Sequence, residues 1–449
     1  MNVSKKEKQM EVCHPNAAGI DIGATKHYVA VPPGRAKENV RSFGCFTEDL
    51  YALLSWLKEC KVDTVAMEST SIYWIPVFKI LEANGIEVYL VNAYKSKSVP
   101  GRKTDVQDCQ WLQQLHTYGL LQASFQLDQT IKPLRTIIRH RDTQIRQSAT
   151  EVQRMQKCLT QMNIQLHNVI SDITGESGMS ILKAILSGER TPKTLASLCN
   201  ARIKASSEVV IKSLEGTWDE DHLFVLKQGI RTYEFYQNII TECDREIEGL
   251  LNKLEKKQGT EQVPPSSKRS QTRKQTNIPL FDMRSYLYKI TGVDLTRIDG
   301  LSSYSCMVIL SEIGTDMSRW PTAKHFTSWL GLCPRNKISG DRVISSRTSR
   351  TKNKASIMFR TVVQTLSHSK SAMGAYFRRL RARIGPQKAC SAAARKLSEL
   401  FYRMLRDKKA YNDPGEEQYM QRFKEKQVAI LQKRAGVMGF NLVPVVNVS

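Results

Sequence analysis

From Pro133 to Ile173 the chain has no glycine and no second proline. Leu134, Ile138, Ile145, Ala149, Val152, Met155, Leu159, Met162, Leu166, Val169 and Ile173 recur there at three or four residues, with one gap. That period marks a long amphipathic helix whose apolar stripe needs a partner, and its length suits a coiled coil. The opposite face is basic, through Arg135, Arg139, Arg141, Arg146 and Arg154. Residues 176–257 also read as helical and end in a second long run, "YEFYQNIITECDREIEGLLNKLEKK". A helical hairpin over residues 130–257 therefore separates an N-terminal region from a C-terminal one.

Upstream the period changes. "NAAGIDIGATKHYVAV" reads as two strands around a turn at Gly23, with Ile20 and Ile22 flanking Asp21. "FTEDLYALLSWLKEC" has helical apolar spacing, with Thr47 in the N-cap position. "VDTVAMES" is a strand that ends on Glu68, "YWIPVFKILEANG" a helix that stops at Gly85, and "IEVYLVN" a further strand. Strands alternating with helices define a layered α/β domain over residues 15–125.

Downstream, residues 258–279 are polar, basic and Pro/Ser-containing, the composition of a flexible linker. A basic, mainly helical region occupies 283–410, and residues 411–449 form a tail to which no role attaches. Within the basic region "ITGVDLTRIDGLSSYSCMVILSEIG" reads as helix, glycine turn, helix, a place where backbone N–H groups can meet phosphate. From Arg335 to Lys409 there are 20 Lys/Arg and 3 Asp/Glu, an excess that carries most of the net charge of +24. Such a balance points to a polyanion, with nucleic acid first. No run of apolar residues is long enough to span a membrane and the N-terminus has no signal-peptide core, so a cytoplasmic location is expected. The ten cysteines form no C-x-x-C pair and are read as free thiols.

Against that basic background four acids stand out. Asp105 and Asp108, in "GRKTDVQDCQW", are three apart where a helix begins, so their side chains share a face. Asp21 sits mid-strand, where a carboxylate is costly without a partner. Glu68 closes an apolar strand. Clustered carboxylates repel unless a cation joins them, and all-oxygen donors suit Mg2+ or Mn2+. Taken singly, any Asp here is better explained as a cap or a solvated residue, with Asp21 the strongest of them. "GIDIGAT" also matches the Asp-x-Gly-x-Thr phosphate loop of actin-like sugar kinases, which share a ribonuclease-H-type sheet. A second Gly-rich nucleotide loop is missing from this sequence, and the kinase reading leaves the basic region unexplained.

A second candidate lies in "WLGLCPRNKISGDRVISSRTSR". Ser339 precedes Gly340 between Arg335 and Arg342, and a serine so placed can attack a phosphodiester while arginines hold the anionic transition state. Ser345, Ser346 and Ser349 compete for the role on composition. Arg335, Lys337, Arg342, Arg347 and Arg350 are the candidate nucleic-acid contacts.

Together "GIDIGATKH", "AMEST", "GRKTDVQDCQWL", "IDGLSSYSCMVILSEIG" and "WLGLCPRNKISGDR" resemble the insertion-sequence transposases that join an N-terminal RuvC-like DEDD domain to a C-terminal serine-bearing domain, the bridge-RNA-guided recombinases. The resemblance runs over about residues 15–410. It implies an RNase H/RuvC-like fold at 15–125, and Mg2+ (or Mn2+) on Asp21, Glu68, Asp105 and Asp108. It implies Ser339 as a nucleophile that forms a phosphoserine link to DNA. It further implies a composite site between subunits of a dimer or tetramer, and a structured RNA that pairs with donor and target DNA. The chain departs from the family in having Ile338 where a second serine often stands before the glycine, and in its helical insert and linker. Two rivals remain: a RuvC-like metal-dependent endonuclease in which Ser339 only contacts phosphate, and a non-catalytic nucleic-acid-binding assembly protein.

Overall fold

Alternating side chains along two short strands set the architecture of the first half. The computed structural model describes residues 11–69, 71–92, 104–258, 277–348 and 353–443. Strands β1 (Ala17–Ile22), β2 (Lys26–Ala30), β3 (Val40–Gly44), β4 (Thr64–Glu68) and β5 (Glu87–Val91) form one sheet in the order β3-β2-β1-β4-β5. β1 runs antiparallel to β2 and parallel to β4, and β4 is parallel to β5. Ala18, Ile20 and Ile22 of β1 with Val65 and Met67 of β4 point into a core closed by helices α1 (Thr47–Glu59) and α2 (Trp74–Ala83). Thr47 begins α1 rather than capping it. Phe46 is the cap, and its backbone N–H donates to Asp49 Oδ2 at 3.1 Å.

The other face of the sheet carries α3 (Asp105–Thr117), and here the residues are small: Ala17 and Gly19 on β1, Ala66 on β4. Gly19 lets the helix come down onto the strand. A Cβ there would lie 2.2 Å from the Cys109 carbonyl oxygen and 2.4 Å from the Gln113 nitrogen. The buried helix residues Cys109, Leu112, Gln113 and His116 follow the i, i+3, i+4, i+7 rule. The far end of α3 is pinned by His116, fully buried, whose Nε2 lies 2.9 Å from Thr64 Oγ1 and whose ring stacks on His14 at 4.6 Å. Residues Met1–Gln126 form the first of two units.

The second unit, Leu127–Ser449, is mostly helical. Its spine is α4 (Lys132–Gln161), followed by α5 (Leu166–Val169), α6 (Glu176–Leu186), α7 (Pro192–Ser197) and α8 (Ser207–Ser213), and then the long α9 (Glu220–Gln258). α9 lies antiparallel to α4: Met155 meets Gly229, Ser148 bonds Gln237, and Arg141 bonds Asp244. Two expectations need correction. The long helix ends at Gln161, because Asn163 takes a left-handed φ of 55° and the chain turns before α5. Its buried seam is also not uniformly apolar. Leu134, Ile138, Met155, Cys158 and Leu159 are buried, but between them the seam runs through Arg141, Gln144, Ser148 and Glu151, while Ile145 and Val152 are half-buried and Ala149 is exposed.

Arg141 explains the displacement. It is fully buried, holds both Asp244 oxygens at 2.5 and 3.1 Å and the Asn277 carbonyl at 2.8 Å, and lies over the Tyr304 ring. Neighbouring Asp142 accepts from Tyr304 Oη at 2.5 Å and pairs with Lys354 at 3.4 Å, and Arg139 grips Glu312 with two bonds at 2.7 and 2.6 Å. These pairs attach α4 to the next group of helices, α10 (Met283–Thr291), α11 (Ser303–Ile313), α12 (Ala323–Trp329) and α13 (Lys354–Thr365). Arg139, Arg141 and Arg154, read from the sequence as part of an open basic face, are committed to carboxylates instead. α14 (Ala372–Ile384), α15 (Pro386–Asp407) and α16 (Gly415–Val437) complete the unit. Among the described residues no helix is long and apolar enough to cross a membrane. The linker expected at 258–279 falls largely outside the described residues.

Two outcomes are expected for the first unit. Gly19→Val should lower its unfolding free energy by about 3 kcal/mol, because a backbone-against-backbone contact cannot relax around added volume; thermal unfolding reads the shift. The second concerns His116, whose pKa burial pulls down from 6.5 to about 4, with His14 adding to the shift. The unfolded histidine takes a proton below about pH 6.5 and the folded one does not, so the stability present above pH 6.5 is progressively lost on acidification. The loss is about 2 kcal/mol by pH 5. Denaturant midpoints at pH 7 and 5 should show this slope, and His116→Gln should flatten it.

Candidate catalytic site

Because β1 and β4 are parallel, residues side by side in register point to the same face. Ala17 pairs with Thr64, Gly19 with Ala66 and Ile20 with Met67, so Asp21 and Glu68 come next, side by side, on the face that carries α3. The helix fixes the rest. His116 sits over Thr64, Cys109 and Gln113 sit over Gly19, and one turn further toward the helix start come Asp108 and Asp105. Asp21 and Glu68 therefore end neighbouring strands, and the first turn of the helix seated on β1 carries Asp105 and Asp108. Glu68 is 5% exposed, Asp21 and Asp108 are half-buried, and Asp105 lies at the rim. Thr104 caps the helix through its side chain, which accepts from the Gln107 N–H at 3.3 Å. The Cys109 thiol beneath reports the local field: burial first, then the negative charges of Asp21 and Asp108, push it up to about 12. Tyr28, directly across from Asp21 in the β1–β2 register, completes this face and was not singled out by the sequence.

Four carboxylates are the donor chemistry of a hard divalent ion. Among the described residues no three His, Cys, Asp or Glu side chains are grouped closely enough to hold a metal as they stand.

Ser339 lies on a β-hairpin. It ends strand β6 (Lys337–Ser339), which pairs antiparallel with β7 (Arg342–Ser345) across the two-residue turn Gly340–Asp341. Both turn residues have positive φ, 51° and 59°, the type I′ geometry that matches strand twist. The Gly-Asp dipeptide between strand-forming residues was the sequence signal for this hairpin. Ser339 stands directly opposite Arg342, so hydroxyl and guanidinium share a face, and both are exposed. Arg335, Lys337 and Arg347 are exposed around the same hairpin, and Arg350 lies outside the described residues. Of the competing serines, Ser345 is half-buried with its Oγ turned to the Arg347 N–H at 3.4 Å, Ser346 is exposed, and Ser349 lies outside the described residues.

Residues 18–164 match the family model for the DEDD transposase domain of IS110 elements, and residues 294–378 match the model described as "Transposase IS116/IS110/IS902 family". The chain carries both domains of the IS110-family transposases. It is an enzyme that acts on DNA. No curated protein matches the chain. In this transposase the first match takes in Asp21, Glu68, Asp105 and Asp108, and the second takes in Ser339 and the exposed cations of its hairpin.

Proposed function

We propose that this transposase cuts and rejoins DNA through a serine nucleophile and a carboxylate-held divalent ion. What supports the reading is that Asp21 and Glu68 end adjacent parallel strands and that α3, whose first turn carries Asp105 and Asp108, is seated on Gly19 of the strand that carries Asp21. Those four residues would hold Mg2+ or Mn2+, and the ion would polarise a phosphate oxygen of the DNA and screen its charge. Ser339 Oγ attacks the phosphorus: an Oγ–P bond forms, the bond from phosphorus to the leaving sugar oxygen breaks, and the serine proton passes to a base while the leaving oxygen takes one up. A free hydroxyl of another strand then attacks the phosphoserine, which reverses the same bond changes and releases the serine. Arg342, facing Ser339 across the hairpin, stabilises the charge that develops on the phosphate oxygens. Arg335, Lys337, Arg347 and Arg350 hold the flanking backbone by charge, without reading bases.

Donor and target choice is assigned to a guide RNA, in keeping with the family resemblance and with a basic surface that reads charge and shape rather than sequence. The enzyme works as a homo-oligomer, dimer or tetramer. Residues 15–125 serve as the metal domain, 130–257 as the helical region, 258–279 as the linker and 283–410 as the serine-bearing, nucleic-acid-binding domain.

The test uses purified protein with RNA expressed from its flanking DNA, Mg2+ and end-labelled junction DNA, followed by denaturation. Labelled protein should appear, vanish with Ser339→Ala, and fall to background with Asp105→Asn. Cleavage without an adduct, unchanged in Ser339→Ala and lost in Asp105→Asn, would instead establish a metal-dependent endonuclease. Activity that survives all four carboxylate substitutions would remove the acidic site from the mechanism.

A further inference from the structure

The face of the β6–β7 hairpin opposite Ser339 has no use in the chemistry above. Strand alternation puts Ser339 and Arg342 on one face and the cross-strand pair Ile338 and Val343 on the other, and a bulge inserts Ile344 beside them. These three side chains are 62%, 59% and 69% exposed. The base of the hairpin is anchored, through the buried Leu330 and Leu332 on one side and the Asn353 cap of α13 on the other. Its tip meets open space: a Cβ built on Gly340 would touch nothing within 4 Å. A free two-stranded hairpin is marginal in water, and three clustered aliphatic side chains at its tip mark a surface that is covered in use.

Charge decides what covers it. The hairpin that carries the three aliphatics also carries Arg335, Lys337, Arg342 and Arg347 against one acid, Asp341. A hairpin so basic disfavours a basic occupant. A nucleic acid supplies both complements, phosphates for the cations and base faces for the aliphatics. Apolar wedges set among cations are a known way to part stacked base pairs. Strand transfer also needs such parting, because bases next to the attacked phosphate must leave one partner before they meet another.

We propose that Ile338, Val343 and Ile344 form a wedge that holds unstacked bases next to the phosphate presented to Ser339. The proposal rests on the reading of the chain as a DNA strand-transfer enzyme, and it names what the hairpin grips. The wedge residues are positioning residues: they act on the DNA beside the reacting phosphate and take no part in the bond changes.

The probe is synthetic junction DNA with 2-aminopurine beside the cut site, whose fluorescence rises when the base unstacks. Wild-type protein in its RNA complex should raise it several-fold, and so should Ser339→Ala, because the wedge precedes chemistry. The combined Ile338→Ser, Val343→Ser and Ile344→Ser variant should still bind the DNA while losing the rise, and leucine at the three positions should retain it. All three sites are exposed, so folding is not at stake; thermal unfolding checks this directly. A serine variant that keeps the full rise overturns the wedge. So does one that leaves the rise intact and lowers the oligomeric state by mass photometry, which would make this face a contact between copies. Wild-type protein that binds DNA without unstacking sinks the wedge alone, whereas wild-type protein that binds no DNA sinks the transposition reading along with it.

Discussion

A helix resting on a bare strand organises the acidic site. Gly19 has no side chain, so the backbone of α3 lies directly on β1 at Cys109 and Gln113. From that one contact the geometry extends in both directions along the helix. Toward its C-terminus His116 reaches Thr64; toward its N-terminus lie Asp108 and Asp105. A larger residue at 19 would lift the helix and with it half of the acidic set. The Cys109 thiol in that contact is raised first by burial and then by the negative charge of Asp21, with Asp108 adding less.

The second unit is organised by charge placed where the pattern called for oil. Arg141 occupies a seam position between α4 and α9, and replacing it by a hydrophobe would leave Asp244 without its buried partner. The same short stretch of α4, Arg139 to Asp142, reaches α9, α11 and α13 through Asp244, Glu312, Tyr304 and Lys354. The cations of this stretch are therefore consumed in holding the unit together. The cations of the Ser339 hairpin, in contrast, are exposed.

Much of the first unit was legible because its signals are local. Strand propensity, the Gly23 turn and the Gly85 stop mark β1, β2 and α2 from neighbours in sequence, and the D-x-x-D spacing places Asp105 and Asp108 on one helix face by geometry alone. β3, Val40–Gly44, left no comparable trace, being short and without a fully buried residue. The role of Gly19 was hidden for a different reason: the residue it must admit, Cys109, is ninety positions away, and no local pattern encodes that contact. The seam of α4 misled for the same reason. Periodicity counts aliphatic side chains, and it cannot know that Arg141 will find Asp244 and Tyr304 across the fold. The hairpin was legible in principle from Gly340-Asp341 between strand formers, but the density of Lys and Arg around it reads first as a loop.

The central claim is that four carboxylates far apart in sequence form one divalent-ion site. The most direct measurement is Mn2+ binding to the full-length chain by electron paramagnetic resonance, for the wild type and for Asp21→Asn, Glu68→Gln, Asp105→Asn and Asp108→Asn in turn. One acidic site predicts that each substitution, on strand or helix, weakens the same binding event. Binding that depends on Asp21 and Glu68 but is untouched by both helix substitutions would contradict it, and would return Asp105 and Asp108 to the role of an ordinary charged first turn.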